Sequence, residues 1–160
     1  VYDLVRHRAL DCVPVDHGHA FDVNLGPGEG RMLMICEKAI RQLQLTAPDQ
    51  ASQGQQVKIH LQVLGTDGGK MNAAIPVELV IEDPKSRQAE FSGYWCAADG
   101  ELSVSLDFAS NDPVGTWTSR ARELASGQTA TTYMDVQGTT EVRSTDRVGP
   151  DAANPVQPDG

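Results

Sequence analysis

Apolar and polar residues alternate without a break where Val57, Ile59, Leu61 and Val63 are interleaved with Lys58, His60 and Gln62. Alternation at a period of two puts one set on the inner face of a β-strand and the other in water. The same pattern returns at Val77, Leu79 and Ile81 and again at Leu102, Val104, Leu106 and Phe108. It closes in a pair of strands over residues 116–124 and 129–136. Further strands are predicted from Leu43 and Leu45 and over residues 90–96, which carry Phe91, Tyr94 and Trp95. The breaks between them fall at residues 51–55, at Asp67-Gly68-Gly69, at Asp83-Pro84, at Asp99-Gly100 and at Asn111-Asp112-Pro113. These are residue types that bend the backbone or fix it. No segment of useful length carries the helical period.

Seven strands at this spacing, over residues 38–137, predict an all-β fold of the Ig-like β-sandwich type. Trp117 opens the penultimate strand and shares its face with the small residues Ser119 and Ala121, so its ring is assigned to the core.

Residues 1–37 read differently. Short strands are predicted over residues 1–4, 9–15, 20–25 and 31–35. In the third of these, Phe21, Val23 and Leu25 alternate with Asp22 and Asn24, and Gly26-Pro27-Gly28-Glu29-Gly30 must turn. So few large apolar residues cannot bury a self-sufficient core. The segment is therefore expected to be the last strands of a β-domain truncated upstream, with Val1 falling inside a longer protein. After Gln137 the composition changes to scattered Val among Gly, Pro and Asp, and residues 138–160 are predicted to form a disordered tail.

Charge and candidate chemistry narrow the function classes. A formal net charge of -9, with no clustering of the 13 Lys and Arg residues beyond pairs, argues against nucleic acid and against an anionic membrane surface. The densest basic spot is Arg6-His7-Arg8, at an expected turn. The apolar runs are too short for a membrane-spanning helix, so membrane insertion is not expected. Cys12, Cys36 and Cys96 match no zinc spacing and are read as small side chains buried or half-buried on strands. A Cys12 to Cys36 bridge would need neighbouring strands and an oxidising compartment. His17-Gly18-His19 has a ligand-like spacing, but its flanking residues suggest a turn, and no further ligand completes a metal site. His60 lies on an outward face. Glu78 and Glu82 share a strand face without the cleft that acid–base chemistry on glycosides requires. Asp83, Asp99 and Asp112 are explained by turn formation without calcium. No catalytic residue, cofactor or metal site is therefore expected. Tyr94 and Trp95 are adjacent, so one must face away from the core; the pair is the candidate contact for a carbohydrate ligand or, more in keeping with a single exposed ring, for a neighbouring domain.

Two resemblances follow from particular residues. The stretch from Gly54 to Leu124 includes Gln55-Gln56-Val57-Lys58-Ile59-His60-Leu61, then Pro76-Val77-Glu78-Leu79-Val80-Ile81-Glu82-Asp83-Pro84, then Val114-Gly115-Thr116-Trp117. It resembles macroglobulin-type and related bacterial Ig-like domains, although Gln53 replaces the proline with which their pattern opens. The stretch Phe21-Asp22-Val23-Asn24-Leu25-Gly26-Pro27-Gly28-Glu29-Gly30-Arg31-Met32-Leu33-Met34, behind Val1-Tyr2-Asp3-Leu4, resembles the C-terminal end of bacterial β-galactosidase-like glycoside hydrolases. That resemblance implies a non-catalytic accessory module of a secreted carbohydrate-active hydrolase, extracellular or periplasmic, whose partners are the upstream domains of its own chain. The alternative it leaves open is an interaction module of a macroglobulin-like or adhesin-like surface protein.

Overall fold

The fold was analysed in a computed structural model, which describes residues 1–139; the tail expected over 138–160 lies almost wholly outside them. All regular structure among the described residues is β. Residues 40–137 carry strands β6 (Ile40–Thr46), β7 (Gln50–Ser52), β8 (Gln56–Gly65), β9 (Ile75–Glu82), β10 (Gly93–Ala97), β11 (Glu101–Asp107), β12 (Gly115–Glu123) and β13 (Thr129–Gln137). Before them lie β1 (Tyr2–Asp3), β2 (Arg8–Ala9), β3 (Cys12–Val15), β4 (Gly18–Phe21) and β5 (Leu33–Met34).

The predicted sandwich is present. One sheet has the order β10-β9-β12-β13-β7 and the other the order β11-β8-β6. All pairings are antiparallel except that of β7 with β13. The alternation in sequence becomes alternation in burial: Ile59, Leu61 and Val63 of β8, and Val77, Leu79 and Ile81 of β9, are at most 1% exposed. Burying one such side chain contributes roughly 1.5–3 kcal/mol, so the stability of the chain is concentrated between these two sheets. Trp117 is buried as expected, its ring edge-on to Phe108 at 5.0 Å and its Nε1–H donating to the Pro113 carbonyl at 2.9 Å. The indole thus has an apolar bed and a partner for its one polar atom.

Within the sandwich, two elements depart from the sequence expectation. The sandwich has eight strands, because part of the segment assigned to a turn at 51–55 is β7, which pairs with β13 around the buried Ala51. Three residues are too few to display an alternation. The strand expected over 90–96 starts only at Gly93, since Ser92 closes the end of β9 instead: its Oγ accepts from Ile81 N at 2.9 Å and donates to Ile81 O at 3.2 Å.

Residues 1–37 form a small sheet in the order β2-β1-β5 and a separate hairpin of β3 and β4. The single strand predicted over 9–15 is split at Leu10 and Asp11. The strand predicted over 20–25 stops at Phe21, leaving Val23 and Leu25 exposed. Among the described residues no strand pairs with residues 22–25, so the alternation has no neighbour to make it a sheet face. Leu4, Met34 and Cys36 pack against the core of the sandwich, and two hydrogen-bonded contacts fix the segment to it. Tyr2 is buried in the core, and its hydroxyl accepts the Ile40 N–H at 2.6 Å. His7 Nδ1–H donates to the Leu124 carbonyl at 2.6 Å, and a Cβ on Gly127 would stand 3.1 Å from the His7 carbonyl oxygen.

Candidate functional site

Tyr94 and Trp95 lie on β10, an edge strand whose only partner among the described residues is β9. Tyr94 is paired in register with Glu78 and Trp95 with Val77, so the two rings point to opposite faces of the sheet. Tyr94 is 75% exposed, and its hydroxyl donates to Glu78 Oε1 at 3.2 Å. That bond, together with the negative charge of the carboxylate, pushes the phenol above its ordinary value of 10.0. Trp95 is on the inner side, as Val77 is, yet it remains 39% exposed, at the edge of its sheet. Two rings on opposite faces cannot form one stacking platform for a sugar; they can be clasped by a surface that wraps the edge. Cys96 shares the outer face with Tyr94 and is exposed, which corrects the expectation of a buried or half-buried thiol: an edge strand's outer face has nothing to bury it. Cys12 and Cys36 are half-buried, and all three are free thiols.

The remaining polar candidates are held in structural pairs. Glu82 binds Arg120 at 2.6 Å, while Glu78 takes the Tyr94 hydroxyl, so neither carboxylate is left in a cleft. His60 shares a 2.8 Å hydrogen bond with Ser103 on an exposed sheet face, which offers neither enclosure nor an acid to orient the ring. Asp83 accepts from Lys85 N and Arg87 N and binds the Arg87 guanidinium at 2.6 Å, closing the loop after β9. Burial pushes its carboxyl up, but those amides and the guanidinium outweigh burial and hold it below its ordinary value of 3.8. Asp112 accepts the Ala109 N–H at 2.8 Å, and Asp99 turns the chain at a φ of 50°. His17 lies in the turn before β4 and His19 within β4; among the described residues no three His, Cys, Asp or Glu side chains gather as a metal site would require.

One buried acid was not anticipated. Glu123 is fully buried at the end of β12, where its carboxylate accepts from Ala125 N at 2.9 Å, Ser126 N at 3.0 Å and Gln128 N at 2.8 Å, and from the Ser126 hydroxyl. Continuing the alternation Trp117, Ser119, Ala121 by one step would have placed it on the inner face. It organises the turn on which His7 docks.

The largest unbalanced surface lies elsewhere. Val5, Val13, Val15, Val23, Leu25, Met32 and Ile35 are all exposed, Met32 at 66% and Ile35 at 75%. Cys12, Cys36, Phe21 and Ile35 line a cavity of about 590 Å³ between the hairpin, the small sheet and the segment 35–39 that leads into the sandwich.

No protein-family model matches the chain, and no curated protein sequence does. Among solved structures, a superoxide reductase (neelaredoxin) from Ignicoccus hospitalis is similar with a TM-score of 0.44 at 13% identity, over 61% of this chain and 81% of that one. The PKD domain of an M14-like peptidase from Thermoplasmatales archaeon SCGC AB-540-F20 gives 0.40 at 16%, over 62% and 99%. A β-glucosidase from Listeria innocua gives 0.42 at 11%, over 64% of this chain but only 16% of its own. With TM-scores below 0.5, these likenesses carry no argument about what the chain does.

Proposed function

We propose that this chain is a non-catalytic accessory module at the C-terminal end of a secreted, extracellular or periplasmic, carbohydrate-active hydrolase, where it serves as a spacer and as a packing surface for the domains upstream. One observation carries the reading: of the eleven large apolar side chains exposed among the described residues, seven lie in residues 1–37. Where such side chains adjoin in a contiguous patch, they mark a contact with another surface. The resemblance of residues 21–34 to the end of β-galactosidase-like hydrolases supports a carbohydrate-active parent.

The test compares hydrogen exchange in the 160-residue chain with exchange in a longer polypeptide that includes its upstream sequence. Amides of residues 5–35 are expected to exchange more slowly in the longer chain; equal rates would overturn the packing role. Activity on aryl glycosides is expected in the longer polypeptide and absent from the 160-residue chain. Turnover by the short chain that one carboxylate substitution abolishes would overturn the non-catalytic reading. A second reading, an interaction module of a macroglobulin-like or adhesin-like surface protein, is favoured by the open edge of β10 with Tyr94 and Trp95 on it. Repeated sandwich patterns upstream, in place of a barrel, would select it.

A further inference from the structure

We propose that Arg6, Arg8 and Arg31 form a cradle for an oxyanion, a carboxylate or sulfate group carried by a small ligand. The three arginines line one concavity of about 510 Å³ together with Asp3, Asp22 and Asn24. Three positive charges therefore meet two negative ones in a chain whose net charge is -9.

Asp3 is already engaged. Its buried carboxylate accepts from Val5 N at 2.9 Å and from Arg6 N at 3.1 Å, and its other oxygen faces Arg31 Nε at 3.7 Å. These bonds shape the turn that carries Arg6, while Arg8 opens β2 opposite Asp3. Between them His7, at a φ of 51°, is anchored to the Leu124 carbonyl, so the backbone that carries both arginines is held in place.

Arg31 is the least exposed of the three arginines and is only loosely paired. Only 11% of its side chain is exposed, yet its nearest carboxylate oxygens lie at 3.5 Å on Glu29 and 3.7 Å on Asp3. Charge-assisted bonds of this type close to about 2.7–2.9 Å. None of its side-chain nitrogens is both shut off from solvent and unpaired, so the donors without a close acceptor among the described residues are open to solvent. Arg6 and Arg8 make no ion pair or side-chain hydrogen bond among the described residues. Guanidinium forks match two oxygens on one carbon or sulfur, the geometry of a carboxylate or a sulfate group. This inference is independent of any parent hydrolase.

The experiment is an NMR titration of the isotope-labelled 160-residue chain at constant ionic strength, with sodium sulfate, with D-glucuronate, and with D-glucose as the neutral control. Saturable shifts are expected at the Arg6, Arg8 and Arg31 Nε–H groups and at the Val5 and Arg6 amides, with glucose silent. Saturation by sulfate alone would identify a tetrahedral anion, and tighter binding of glucuronate an acidic sugar; both support the cradle. The double substitution Arg6→Gln, Arg8→Gln changes two exposed side chains and should weaken binding by at least about tenfold while leaving the rest of the spectrum in place. No saturable shift up to about 50 mM of either anion, shifts that chloride reproduces, or unchanged affinity in the double variant would overturn the proposal.

Discussion

Residues 1–37 and residues 38–139 use the same vocabulary of short strands and turns, with opposite results. Of the twenty-three apolar residues in the buried core, only Tyr2 comes from the first segment, while seven of its other large apolar side chains are exposed. In the second segment, strands of seven to ten residues face one another across two sheets, and every inward position of β8 and β9 is closed. A β-pattern therefore becomes a core only when a second layer exists to meet it. In the first segment β1 and β5 are two residues each, and the hairpin of β3 and β4 stands apart from their sheet.

The contrast between the two segments is most exposed to test at the core of the sandwich. Trp117→Ala should destabilise the chain by about 3–5 kcal/mol in urea denaturation, because the ring fills a closed site against Phe108. An unchanged midpoint would place the ring outside the core. Glu123→Ala should cost about 2–4 kcal/mol in the same assay, since three turn amides lose their acceptor in a buried place. A loss below about 0.5 kcal/mol would mean that water replaces the carboxylate freely and that the turn does not depend on it.

Tyr2→Phe tests the seam between the two regions. Removing the hydroxyl leaves the buried Ile40 N–H unpartnered, for an expected loss of about 1–2 kcal/mol. Hydrogen exchange should show that residues 1–37 loosen first while β8 and β9 stay protected; uniform loosening would show one cooperative unit instead of two unequal ones.

Acid should act on both regions with the same sign. Asp3 and Asp83 have folded values held below 3.8, in each case by amide donors and an arginine that outweigh the upward push of burial. Their contribution to stability is therefore complete above the unfolded value and is lost as the pH falls through the lower folded value. The denaturation midpoint should drop on acidification below about pH 4, and less so in Asp83→Asn. A midpoint that rises on acidification would contradict both assignments. The smallest effect is expected at the exposed surface of the first segment: Leu25→Ser and Ile35→Ser should each change stability by less than about 0.5 kcal/mol. A larger loss would mean that these side chains are covered in solution.

The sandwich was legible because its signal is periodic. Val57 to Val63 and Val77 to Ile81 were assigned to inner faces from alternation alone, and Trp117 from the small residues beside it. What escaped has no period. β7 is three residues long, Ser92 imitates a strand with its side chain, and the run through Phe21, Val23 and Leu25 alternates without any neighbouring strand to make the pattern mean burial. Of the candidate contacts, the opposition of Tyr94 and Trp95 followed from their adjacency. That Trp95 stays open on the inner side did not, because an edge is a property of sheet order. The arginine cradle joins Arg31 to residues more than twenty positions earlier, and only folding brings them together.

The single parallel pairing in the sandwich, β7 alongside β13, has a consequence for how the chain would bear tension. Its three rungs, Gln50 with Asp135, Ala51 with Val136 and Ser52 with Gln137, are extended by bonds from Asp135 N to Asp49 O and from Gln53 N to Gln137 O, each 2.9 Å. Tension that enters through β6 and leaves after Gln137 slides the two strands past each other along their length, so the rungs bear the load jointly instead of opening one after another. A hairpin pulled at its open end would unzip; this clasp resists as a unit, and it sits where the chain leaves the sandwich.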